Sequence, residues 1–489
     1  MQNNILFWAF LLLSSQLFAQ NLPPALNQIK ETDLKSDLEA LAGVNFKGRS
    51  AGTIDELKAA MWLGEKYRAI GLKPAGDDGT YFQFFTLWRN QISEQTSIEL
   101  NNKKLALWQD VSVAQMANIS LNGAITYLGN AAEIDTNSLN VKGKIVALEA
   151  NSKGINLNVS LPTWRYSRYI YTRYGAALVR RGAVAIIFIA DDTAENAWKD
   201  ANENFKRGNY DIDGGANVNL TTTVPVLWLH KDAKKDLEGN SVNLKANIVV
   251  SKYAYPSVNI IGKIEGTDAK LKSEYLLYSG HTDAHGVRNE IKGDSICYGA
   301  DDNGSVNVAM LSNARAFIKN PAKRSVLFVI HGAEERGLLG SRYYTAHPTV
   351  PIGNIIAVLN GDMIGRNHID SATVLGALPP HRNSEELINM TLAANKEGPN
   401  FKLDYSWDDV KHIEGWYFRS DHLPYARVGI PSLMYTSLLH PDYHTPQDNV
   451  ENINFPKLKK MADWMYRTGW KVANAKQRPA TDKNFKLER

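Results

Sequence analysis

EYLLYSGHTD, residues 274–283, reads as a strand that ends on chemistry: an apolar and aromatic run of strand length, then His281 and Asp283 just past its carboxyl end. The same plan recurs in SVLFVIHGAEE (325–335), which ends on Glu334 and Glu335, and in NIIAVLNGD (354–362), which ends on Asp362. From Ser257 almost to the end of the chain, strand patterns alternate with helical ones. Such alternation predicts an α/β fold with a mostly parallel central sheet covered by helices on both faces. In open sheets of this kind ligands bind outside the carboxyl ends of the strands. Strands about 4.8 Å apart can bring several side chains to one point there.

Two loops add donors. GADDNGS (299–305) carries Asp301 and Asp302 ahead of a helix predicted over 304–318, whose N-terminal dipole points at this acidic loop. DYHTPQD (442–448), after the strand PSLMYT (431–436), carries His444. Taken singly, each residue has a plain reading: Asp301 or Asp302 as a helix N-cap, Glu334 and Glu335 as solvated charges, Asp362 as turn chemistry, His444 as a cap. Their convergence on one edge of one sheet decides otherwise. Imidazole nitrogens and carboxylate oxygens are then present in numbers that suit two zinc ions.

The rest of the chain bounds where such a site works. With 489 residues, 44% of them hydrophobic, two or three domains are expected. Lys plus Arg number 55 against 51 Asp plus Glu, which argues against a nucleic-acid scaffold. The apolar run from Ile5 to Leu13, extended through Phe18 and followed by Ala19, is too short to span a bilayer comfortably and reads as a signal peptide over residues 1–19, hence export to the periplasm or beyond. No second long apolar segment follows, so the mature chain is expected to lack a transmembrane span. Cys297 stands alone, which excludes an intramolecular disulfide and leaves a small packed residue.

Before the sheet, ETDLKSDLEALAG and DELKAAMWLGEKYRAIG predict two amphipathic helices around the turn FKGRSAGT, in which Arg49 and Thr53 read as solvated and capping. Between them and Ser257 lies a run of strands around one helix, YTRYGAALVRRG, without candidate metal ligands. It reads as an insert over 113–254, which splits the catalytic domain into 20–112 and 255–489.

GHTDAHG, GADDNGS, GAEERGLLGS, NGDMIG and YHTPQDN together resemble the metal-binding signature of the secreted di-zinc aminopeptidases, peptidase family M28. The GRSAGT opening resembles the start of that family. VKGKIVAL, YGAALVRRGAVAIIFI and TTVPVLWL are similar to the protease-associated (PA) domain inserted in many of its members. The resemblance implies a zinc exopeptidase fold that removes N-terminal residues from peptides by attack of a hydroxide bridging two zinc ions. One zinc would be held by His281 and Asp362, the other by Glu335 and His444, with Asp301 bridging and a cis peptide after it. Glu334 would be the general base, and Asp283 would orient the His281 imidazole. Ser420, Asp421 and His422 of SDHLPY resemble a segment lining the site, and Trp407, Trp416, Tyr417 and Phe418 offer an apolar wall. The alternatives are a carboxypeptidase of the same superfamily, which requires an arginine patch near the site, and a non-catalytic binding or receptor-like module.

Overall fold

The computed structural model describes residues 22–153, 160, 162–215, 223–238, 242–483 and 485–487. The expected signal peptide, 1–19, lies outside the described residues. No helix among them is long and apolar enough to cross a membrane. The chain forms two compact units, one made of the chain up to Phe85 and from Pro256 onward, the other of Thr86–Tyr255.

The first unit is built on strands β1 (Val250–Ile264, of which the part from Pro256 belongs to this unit), β2 (Tyr275–His281), β3 (Ser325–His331), β4 (Ile355–Gly361), β5 (Ser371–Leu375) and β6 (Ser432–Thr436). They lie in the order β5-β6-β4-β2-β3-β1. The four central strands are parallel. β1 and β5 flank them antiparallel, so the sheet is mixed rather than mostly parallel. The central apolar runs are continuous because both faces are covered. Leu276 and Tyr278 of β2 pack with Leu38, Leu63, Met310 and Trp464 from helices α1 (Glu31–Leu41), α2 (Ile54–Ile70), α3 (Val306–Lys319) and α6 (Phe455–Asn474). Leu277, between them in sequence, packs on the opposite face with Tyr344 of α4 (Leu339–Ala346) and Tyr425 of α5 (His422–Arg427). The period-2 alternation of the strand therefore sorts its side chains into two cores.

α2 starts at Thr53, whose side chain accepts from the Glu56 amide, and ends at Gly71 with φ 99°, a left-handed C-cap that suits glycine. Thr53 is thus the expected cap. Arg49 is not solvated: it is fully buried, and its guanidinium donates to the carbonyls of Leu41, Thr282, Tyr298 and Gly299.

The second unit holds an eight-stranded mixed sheet. Its border falls at Phe85/Thr86, earlier than the expected 113, because Ser97–Leu100 and Lys103–Leu105 belong to this sheet. Ser97–Leu100 pairs with Asn243–Ile248, far along the chain, a partnership that no local pattern announces. A helix over Asp192–Arg207 joins the expected helical stretch, which runs from Pro162 to Arg180.

Candidate metal centre

Two clusters of metal-grade side chains meet at the carboxyl ends of the parallel strands. His281, Asp302 and Asp362 form an inner cluster, and His285, Glu335 and His444 an outer one; within each cluster the candidate ligand atoms lie within 4.8 Å of one another. β2 ends on His281, and Asp362 follows the last residue of β4. Glu335 stands in a short 3-10 turn, Glu334–Arg336, Asp302 in the turn Ala300–Ser305, and His285 and His444 on loops.

Asp302 connects the clusters. Its Oδ1 lies 3.2 Å from His281 Nε2 and its Oδ2 2.9 Å from His444 Nε2. The sequence expectation had placed Asp301 in this role, and the geometry assigns it elsewhere. Asp301 Oδ1 accepts from the Gly365 amide at 2.6 Å, its carbonyl accepts from Ser305 Oγ, and its Oδ2 faces His440 Nε2 at 3.5 Å. Side chains of adjacent loop residues diverge, so one carboxylate serves the loop after β4 and the next serves the clusters. Asp448 holds this arrangement: its two oxygens accept from the amides of Asp301 and Asp302, at 2.9 and 3.1 Å. The cis peptide joins Asp302 to Asn303, not Asp301 to Asp302.

Glu334 and Glu335 point to different clusters. Glu334 Oε2 lies 3.8 Å from His281 Nε2. Glu335 Oε1 lies 3.0 Å from His444 Nε2 and its Oε2 3.0 Å from His285 Nε2. Asp283, fully buried, fixes the pair by accepting from the amides of Glu334 at 2.9 Å and Glu335 at 3.2 Å. The His281 ring is held by the main chain of the same residue, with Nδ1 3.0 Å from the Asp283 carbonyl and 3.7 Å from its carboxylate. Asp283 therefore orients the imidazole through its backbone and the glutamates through its side chain.

Ser420, Asp421 and His422 are fully buried behind the inner cluster. Ser420 Oγ accepts from Asn360 and Asp421 from Ser341. Trp416 and Tyr417 pack with Met363, Leu338 and Met434, with Trp407, Phe418 and Tyr443 against them. The Tyr443 ring stacks on His444 with centroids 3.6 Å apart. Arg419 donates to Glu414 at 2.6 Å and to Tyr443 Oη at 2.9 Å.

The donor set fits cations. Burial, and after it the charges of Glu335, Asp362 and Asp421, hold Glu334 well above the ordinary carboxylate range against the pull of His281. Burial likewise pushes Asp421 up to about 7 and Asp283 up to about 6. Grouping so many carboxylates away from water is costly unless positive charge joins them. Both ring nitrogens of His285 and His444, together with Glu335 Oε1, are buried without a hydrogen-bond partner. Nitrogen and oxygen donors in this arrangement suit zinc.

His285, Asp448 and Arg49 were not singled out for the site from the sequence. His285 stands inside the GHTDAHG motif, four residues after His281, and only its position in the loop shows what it faces.

Residues 259–468 match the model of peptidase family M28. The chain is 28% identical to aminopeptidase YwaD of Bacillus subtilis (strain 168) over 192 residues, which are 38% of this chain and 40% of that one. It is 24% identical to a probable leucine aminopeptidase of Trichophyton verrucosum over 290 residues, 57% of this chain and 71% of the relative. Among solved structures, an aminopeptidase from Aneurinibacillus sp. strain AM-1 superposes with a TM-score of 0.58 at 17% identity, covering 94% of this chain and 98% of that one. BSAP, a zinc aminopeptidase from Bacillus subtilis, superposes with a TM-score of 0.57 at 19% identity, covering 94% and 99%.

Proposed function

Given that this chain belongs to peptidase family M28 through residues 259–468, we propose that it is a two-zinc aminopeptidase, which hydrolyses the N-terminal residue from peptides that carry a free amine. The observation that carries the reading is Asp302, whose two oxygens face the histidines of two separate donor clusters. His281, Asp362 and Asp302 would hold one ion, and Glu335, His444 and Asp302 the other. Zinc bound there supplies Lewis-acid polarisation of the scissile carbonyl and acidifies a water.

The chain's own residues supply the rest. Glu334 stands beside the inner cluster without belonging to it, and it takes the proton of the attacking water and returns it to the leaving amine. Asp283 holds Glu334 and Glu335 on their separate headings by accepting a hydrogen bond from the backbone amide of each. The similarity to aminopeptidase YwaD and to a probable leucine aminopeptidase supports action at the N-terminus. The proposal extends to a PA-like nature for the Thr86–Tyr255 unit and to export through residues 1–19.

The test is the hydrolysis of an aminoacyl anilide and of its N-acetylated form, with and without chelator. The expected result is release from the unblocked compound alone, abolished by chelator and restored by zinc. Equal rates on both compounds would remove the aminopeptidase reading. A folded, active sample that holds no metal would remove the zinc.

A further inference from the structure

We propose that His285 is an additional protein ligand of the outer metal site, held in place by the Gly48–Ser50 segment. The inference rests on the two-zinc reading above and deepens it. The His285 side chain is 8% exposed, and its Nε2 lies 3.0 Å from Glu335 Oε2. Its ring meets the His444 ring at a centroid distance of 3.9 Å and an angle of 66°. Neither Nδ1 has a hydrogen-bond partner, and the two Nε2 atoms converge on the two oxygens of one carboxylate, Glu335, each at 3.0 Å. Two imidazoles and a carboxylate packed at contact distance are arranged for a common third party, and a cation satisfies all three side chains at once.

The loop that carries His285 is fastened from one side. The Ala284 and Gly286 amides donate to the carbonyls of Arg49 and Gly48, at 3.4 and 3.1 Å. Arg49 Nε donates to the Thr282 carbonyl at 2.7 Å, and Ser50 bridges to Ala284. Gly286 turns at φ +70°, and a Cβ there would meet the Ser50 side chain at 2.7 Å; a Cβ on Gly48 would meet the Cys297 carbonyl at 2.2 Å. Gly48 and Gly286 are thus required by the close approach of two backbones that aims His285 at Glu335. With His285 the outer site has four protein donors, Asp302 included, and the inner site three. The two ions are consequently held unequally, and the site with fewer protein donors is the one beside Glu334.

The experiment uses the full chain stripped of metal and titrated with Zn²⁺ against a chromophoric chelator, then with Co²⁺ followed by its visible absorption. Wild type is expected to take two ions. His285→Ala and His285→Gln are expected to take one ion as wild type does and the second more than about 100-fold more weakly, beyond the usual effect of losing a group behind a ligand, with an altered Co²⁺ spectrum for that second ion. Two ions bound with wild-type affinity by either variant, folded by circular dichroism, would overturn the proposal. A weakened second ion with an unchanged spectrum would also overturn it, because His285 would then only orient Glu335. A wild-type chain that takes up fewer than two ions would instead bring down the two-zinc reading on which the proposal stands.

Discussion

The inner and outer clusters are assembled by different means. Two inner donors, His281 and Asp362, stand at the ends of adjacent paired strands, and the His281 ring is pinned by a backbone carbonyl. The outer donors come from loops and from the short 3-10 turn Glu334–Arg336, and the rings of His285 and His444 are held by no backbone carbonyl: each Nε2 faces a Glu335 oxygen at 3.0 Å, and neither Nδ1 has a hydrogen-bond partner. Strand ends fix a donor through the ladder that builds the fold. Loop donors depend on local fastenings: Asp283 for Glu335, Gly48–Ser50 for His285. The inner site is therefore expected to be preformed, and the outer one to be ordered by the ion it holds.

The largest effect that bears on this contrast is chemical. Glu334→Gln is expected to lower kcat by about 10²–10⁴-fold while both ions stay bound, as measured by steady-state rates and metal analysis on the same sample. Loss of metal from this variant would make Glu334 a ligand and blur the distinction between the clusters. Next is the bridge: Asp302→Asn is expected to weaken both ions, by more than the 10–100-fold typical of groups behind a ligand, whereas Asp301→Asn keeps both. Chelator competition reads the difference, and the reverse ranking would return the bridge to Asp301.

Asp283→Asn is expected to weaken metal binding by about 10–100-fold, more in the outer cluster, because its carboxylate holds the glutamate loop while its carbonyl still holds His281. An equal loss at both sites would contradict the division. The smallest effect concerns stability. Glu56 accepts from the Gly52 amide and Ser257 Oγ, and burial, then the charge of Asp283, push its carboxyl up to about 8 from 4.5. The folded chain thus keeps a proton that the unfolded chain releases. This contribution to stability is complete below pH 4.5 and is lost as the pH rises through about 8. Urea midpoints of the metal-free protein at about pH 5 and about pH 9 should differ less in Glu56→Gln than in wild type; an unchanged difference would remove Glu56 from the explanation.

The same contrast explains what was legible in the sequence. The runs ending at His281 and Asp362 announce themselves, because a strand buried on both faces is apolar throughout and the first polar residues after it mark the sheet edge. The loops give no such register. Asp301 and Asp302 are equivalent in composition, and only the backbone between Asp448 and Gly365 decides which carboxylate reaches the histidines. Arg49 looked like a surface charge because its four carbonyl partners are scattered over some 260 residues, from Leu41 to Gly299. The antiparallel flanks of the sheet and the early start of the second unit were hidden for a related reason: pairing direction and distant partners leave no periodic trace.

Arg49 also sets a limit on dissection. The region that matches the family begins at residue 259, yet the guanidinium that laces together the turns after β2 and before α3 comes from the other end of the chain. A fragment excised to the matched borders would carry every proposed metal donor and lack the stitch that keeps two of their loops in register. Any minimal version of this protein has to be assembled from both ends of the polypeptide.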